Sequence, residues 1–152
     1  FKGVDDPVEI VFFGDHQPGL CNDFIKLLNG KGNSGLTEQE LENLYKVPFF
    51  IWTNYETDAQ TVDVTSLNYL STMALERANI DLPAYNQFLA ELREKIPAIN
   101  SRGYYSKKNE CFMHVDEATG DEAKWIKAYN ILQYNSMFDE KDRSSLLFPY
   151  LK

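Results

Sequence analysis

Val8-Glu9-Ile10-Val11-Phe12-Phe13 is apolar at every position but Glu9 and stops at Gly14. A continuous apolar run of this length reads as a strand buried on both faces of a parallel sheet. The period then changes. Cys21, Phe24, Ile25 and Leu28 recur at i, i+3, i+4 and i+7, which predicts a helix with one apolar face ending near Gly30. Residues 30–35 (GKGNSG) read as a surface loop, because no GK[ST] follows and no strand leads in, as a phosphate-binding loop requires. Thr37-Glu38-Gln39-Glu40 has the form of a capping box and predicts a short helix to about Tyr45. Val47-Pro48-Phe49-Phe50-Ile51-Trp52 is the second strand, with Pro48 near its start, where a missing N–H costs least.

The remaining pattern is mostly helical. Leu67, Leu70, Ala74 and Ala78 share one face of a helix over 64–78. Pro83 opens another, with Tyr85, Phe88, Leu89, Leu92 and Ile96 as its buried stripe and Pro97 as its end. Residues 99–115 predict two short strands in a hairpin around Ser106-Lys107-Lys108-Asn109. A last helix over 121–137 turns Trp125, Tyr129 and Leu132 inward. The order β-α-α-β-α-α-β-β-α predicts an α/β layered domain, a sheet with helices on its faces, with an antiparallel hairpin appended. Two core strands are few for such a sheet, which suggests a portion of a larger domain.

The 152 residues are enough for one domain with a real core. Hydrophobic residues at 43% exclude a disordered chain. With 15 basic and 23 acidic residues the net charge is −8 and no basic patch occurs, so nucleic acid is not an expected partner. An acidic protein that handles an anionic substrate needs a metal ion to do so. Cys21 and Cys111 have no metal-ligand spacing and read as unpaired thiols. No apolar run reaches the ~20 residues of a membrane span. The chain opens on Phe1, not Met, and is expected to be a processed or excised piece.

The candidate chemistry lies in Phe12-Phe13-Gly14-Asp15-His16-Gln17-Pro18. Sites in open α/β sheets gather beyond the carboxyl ends of strands. Asp15 and His16 stand there together, as a carboxylate and an imidazole suited to a Zn- or Mn-type cation. The same pair also reads as a helix-capping Asp beside an exposed His. Trp52, Asn54 and Tyr55 follow the second strand and are candidates to line the same cleft, or form an ordinary aromatic rim. Arg102 is a candidate to pair with a substrate anion, or forms a surface salt bridge. His114 is a possible ligand, or a strand residue facing solvent.

FFGDHQP, followed by YKVPFFIW and by TSLNYLSTMALERANIDLPAYNQFLAELREKIPAINSRGYYS, resembles the C-terminal region of lipoteichoic acid synthase-like phosphoglycerol transferases, of the alkaline phosphatase and sulfatase superfamily. The resemblance covers residues 8–138. It implies an alkaline phosphatase-like fold, with residues 1–152 as the C-terminal part of the catalytic domain. It also implies that Asp15 and His16 hold a divalent metal, Mn in the family, with Zn, Mg and Ca as alternatives. The family's Thr nucleophile and further acidic ligand match nothing here. They are expected in an absent N-terminal half, with a membrane segment that holds the enzyme at the extracellular face of a bacterial membrane. The implied substrate is a phosphoglycerol lipid head group. Alternatives are a sulfatase-like or phosphodiesterase-like hydrolase, and a non-catalytic cell-surface module. A sheet lacking its other half is expected to self-associate through unpaired edges or uncovered apolar faces.

Overall fold

The computed structural model describes residues 3–151; Phe1 and Lys2, where the trimmed start was inferred, and Lys152 lie outside the described residues. The predicted element order is found. It runs β1 (Glu9–Phe13), α1 (Asn22–Asn29), α2 (Glu38–Asn43), β2 (Phe49–Thr53), α3 (Leu70–Arg77), α4 (Ala84–Lys95), β3 (Gly103–Ser106), β4 (Cys111–His114) and α5 (Gly120–Phe138). The described residues form a mixed α/β fold, with five α-helices and two small antiparallel sheets, β1–β2 and β3–β4.

Local chemistry accounts for the boundaries. The Thr37 hydroxyl accepts from the Glu40 amide at 3.3 Å, and Glu40 Oε2 accepts from the Thr37 amide at 2.7 Å, which is the capping box expected for α2. Lys31 and these Thr37 contacts lower the Glu40 pKa to about 2. Gly30 ends α1 at φ 73°, a left-handed conformation that glycine adopts without a Cβ clash. The predicted helix over 64–78 begins later than its pattern suggested. Leu67–Tyr69 forms a 3₁₀ turn, Leu67 is exposed, and the buried face is Tyr69, Leu70 and Thr72.

The core lies between α4, α5 and the β3–β4 pair. Leu89, Leu92, Ile96, Tyr104, Ile126 and Tyr129 are buried together, and Tyr69 closes the cluster. Polar groups inside it are satisfied. Tyr69 donates its hydroxyl to the Ile96 carbonyl at 2.8 Å. Glu122 accepts from Ser106 Oγ at 2.7 Å and from the Tyr104 hydroxyl at 3.1 Å. Burial, then the bond to Glu122, pushes the Tyr104 phenol up to about 12.

The β1–β2 pair departs from the expected buried parallel strands. It is antiparallel, with Glu9 opposite Thr53 and Phe13 opposite Phe49. A parallel pair needs a crossover that lays a helix on the sheet. Here α2 packs on β4 instead, and α1 buries only Ile25. The predicted apolar face of α1 is therefore largely open to solvent: Phe24 and Leu28 are exposed, and so is the neighbouring Leu27. On the ribbon, Phe12 and Phe50 stack at 5.1 Å between centroids, yet both remain about half exposed.

Candidate functional site

The Asp15–His16 pair is placed by the end of β1. Gly14 donates its amide to the Pro48 carbonyl at 3.0 Å, which closes the ribbon. A Cβ on Gly14 would stand 3.0 Å from Val47 Cβ, so a larger residue would force the two segments apart. Gln17 donates its side-chain amide to the Lys46 carbonyl. Asp15 and His16 are thus held beside the entry to β2, with both side chains largely in solvent.

Within the pair, Asp15 Oδ1 accepts from the His16 amide at 2.8 Å. His16 Nδ1 lies 2.8 Å from the Gln17 carbonyl oxygen. A carbonyl only accepts, so Nδ1 carries the proton and a neutral ring presents its lone pair at Nε2. That nitrogen faces Asp15 Oδ2 at 3.4 Å. A lone pair and a carboxylate oxygen placed this way are both acceptors and can share a metal ion. Two donors each about 2.1 Å from one ion at a tetrahedral angle are about 3.4 Å apart, so the spacing fits a shared metal. A backbone carbonyl orienting the non-ligating nitrogen is the usual arrangement for a metal-bound histidine. The set is nonetheless only a partial shell. Among the described residues no group of three or more His, Cys, Asp or Glu converges.

The antiparallel pairing decides which other candidates join this pair. In a parallel sheet the residues after both strands would share one end. Here the residues after β2 meet the start of β1, about 16 Å away along five residues of strand. Asn54 accepts from the Val8 amide at 2.7 Å and donates to the Asp6 carbonyl at 2.9 Å. The Tyr55 hydroxyl donates to Glu9 at 3.2 Å. Both residues tie down the far end of the ribbon, and Trp52 lies on the strand leading there. The structure does not bring these three to Asp15. His114 is also placed elsewhere. Its Nδ1 accepts from the Asp116 amide at 3.2 Å and caps the short turn Val115–Glu117.

Arg102 is brought in. A cleft of about 690 Å³ runs between the ribbon's Asp15 end, α2, the segment before α3 and the turn into β3. Asp15 and Arg102 both line it, with Lys46, Asp63, Tyr45 and Asn100. Glu42 lies in its wall, 4% exposed, and accepts from Asn100 Nδ2 at 2.6 Å; its second oxygen has no partner. Sequence reasoning missed Lys46 and Glu42. The sequence offered a signal for Lys46, which directly precedes the second strand. For Glu42 it offered none, since an acid in a short capped helix reads as solvated.

Cys21 and Cys111 are free thiols, and among the described residues no helix is long and apolar enough to cross a membrane. No family model, curated protein or solved structure matches the chain.

Proposed function

We propose that this chain forms part of a metal-dependent phosphoglycerol transferase acting on lipid phosphoglycerol head groups at the outer face of a bacterial membrane. The observation that carries the reading is the Asp15–His16 pair: donor atoms 3.4 Å apart, a tautomer set by a backbone carbonyl, and a place at the mouth of a large cleft. On this reading the fold is the C-terminal portion of an alkaline phosphatase-like domain. Asp15 and His16 hold Mn, or alternatively Zn, Mg or Ca. A partner segment outside these 152 residues supplies the Thr nucleophile, the remaining ligands and the membrane anchor. A bound divalent ion polarises phosphoryl oxygens and lowers the pKa of an attacking hydroxyl. A sulfatase-like or phosphodiesterase-like hydrolase would use the same pair.

The test is calorimetric titration of the chain with Mn. Two ligands give weak binding, which His16→Ala abolishes. Heat that is unchanged in His16→Ala would sink the reading, because the ion would then sit elsewhere. Joined to its partner segment, the enzyme should lose nearly all turnover of a phosphoglycerol lipid in Asp15→Asn. The other reading is a non-catalytic cell-surface binding module. Under that reading no segment added upstream confers turnover.

A further inference from the structure

The cleft holds two cations whose charge is little used. Lys46 stands at the entry to β2, its carbonyl engaged by Gln17. Among the described residues its ammonium has no hydrogen bond and no ion pair. Arg102 is fixed by its backbone. Its amide donates to Asn100 Oδ1 at 2.8 Å and its carbonyl accepts from Val115 at 2.9 Å. Among the described residues its guanidinium forms one ion pair, with Glu38 at 3.7 Å, longer than a hydrogen bond. A guanidinium with a pinned backbone and free N–H groups is prepared for bidentate contact with an oxyanion. Carboxylates face the same space, and they decide when an anion can enter. Asp15, Glu42 and Asp63 outnumber the two cations. These carboxylates weaken an anion's hold on Lys46 and Arg102, and a divalent ion on Asp15 offsets them.

We propose that Lys46 and Arg102 are positioning residues that hold a phosphate ester in this cleft against the Asp15–His16 pair, with anion binding coupled to the metal. The proposal rests on the reading of that pair as metal ligands. Coupling of this kind is reciprocal, so phosphate also tightens metal binding.

The test is an NMR titration of the whole chain with inorganic phosphate, with Mg or with chelator, read at the amides of residues 15–16, 46 and 100–102. Saturable phosphate shifts at 46 and 100–102 are expected, tightened by Mg. Lys46→Ala or Arg102→Ala should each weaken phosphate about tenfold, the loss of one charge-assisted contact, while the Mg response at 15–16 persists. Both side chains are solvent-accessible, so neither variant endangers the core. Mg shifts at 15–16 with silence at 46 and 100–102 would overturn the proposal and leave the metal reading intact. Phosphate shifts that depend on Lys46 and Arg102 but ignore Mg and Asp15→Asn would keep the anion subsite and remove the metal reading. Wild-type phosphate affinity in both cation variants would overturn the proposal outright. Glycerol 1-phosphate and vesicles of phosphatidylglycerol or phosphatidylcholine then separate the sources. Cosedimentation with phosphatidylglycerol alone, lost in Arg102→Ala, assigns a lipid head group. Glycerol 1-phosphate binding without cosedimentation assigns a soluble ester.

Discussion

The part of the molecule built from α3, α4, α5 and the β3–β4 pair closes on itself, whereas the β1–β2 ribbon with α1 does not. In the first, Leu92 and Ile96 have no exposed surface, and Phe88 and Trp125 pack on the cluster with ring centroids 5.9 Å apart. In the second, Phe12, Phe50, Phe24 and Leu28 are exposed although the sequence there is as apolar as any in the chain. Both contain a two-stranded antiparallel pair, which is marginal alone. What differs is cover. The β3–β4 pair has α2 against it and the core cluster around Tyr104, while on the ribbon β1 meets α3 along a small contact and α1 buries only Ile25. Hydrophobicity of a segment therefore does not establish its burial; a helix must be available to lie on it.

The largest effect should come from the closed region. Leu92→Ala opens a cavity in the cluster and is expected to cost about 2–5 kcal/mol. Thermal and urea melts check this, and a cost below that of a ribbon aromatic would break the comparison. At the junction of the two regions, Thr37→Ala removes the α2 cap and should cost about 0.5–2 kcal/mol. The same cap gives a pH signature. The folded Glu40 pKa is depressed from the ordinary 4.5 to about 2, so its contribution is complete above the ordinary value and is lost as pH falls between the two. Melts of wild type and Glu40→Gln should converge on acidification through that window. Parallel curves would mean the cap does not form.

On the ribbon, Phe50→Ala loses one half-exposed stack and should cost about 1 kcal/mol. Its larger consequence should be on association. The open aromatic face and unpaired strand edges are expected to give dimers or larger species, reduced in this variant. Light scattering at high concentration that shows a monomer in both proteins would mean the face needs no cover. The smallest stability effect is expected at Asp15. Asp15→Asn in chelator should leave the melting temperature unchanged or slightly higher, because the carboxylate is exposed and its proposed partner is a cation. A clear drop, with metal binding retained, would identify Asp15 as a structural residue.

Elements whose signals are local were legible along the chain. The Thr37–Glu40 capping box, the Pro83 start of α4 and the stripe through Leu89, Leu92 and Ile96 are where their residue types require, and the hairpin turn falls at 107–110, one residue beyond the predicted Ser106–Asn109. These signals act over three or four residues of backbone, and no distant contact needs to be known. The proximity of Asp15 to His16 was also legible, since adjacent residues share one loop. Strand direction was not. An apolar run records that a strand prefers burial, and says nothing of which neighbour it meets or which way that neighbour runs.

That single undetermined choice rearranged the site. Antiparallel pairing sent Asn54 and Tyr55 to the far end of the ribbon and brought Lys46 beside Gln17 and the Asp15–His16 pair. The turn into β3 carried Arg102 into the same cleft from about ninety positions along the chain, and docking of α2 buried Glu42 beneath it. The amino-acid sequence by itself determined the order of the helices, the α2 cap and the one local pair of donor atoms, because each depends on near neighbours. Which charges share a cleft, and which apolar faces stay open, depends on contacts between residues far apart in the chain, and only the tertiary structure decided them.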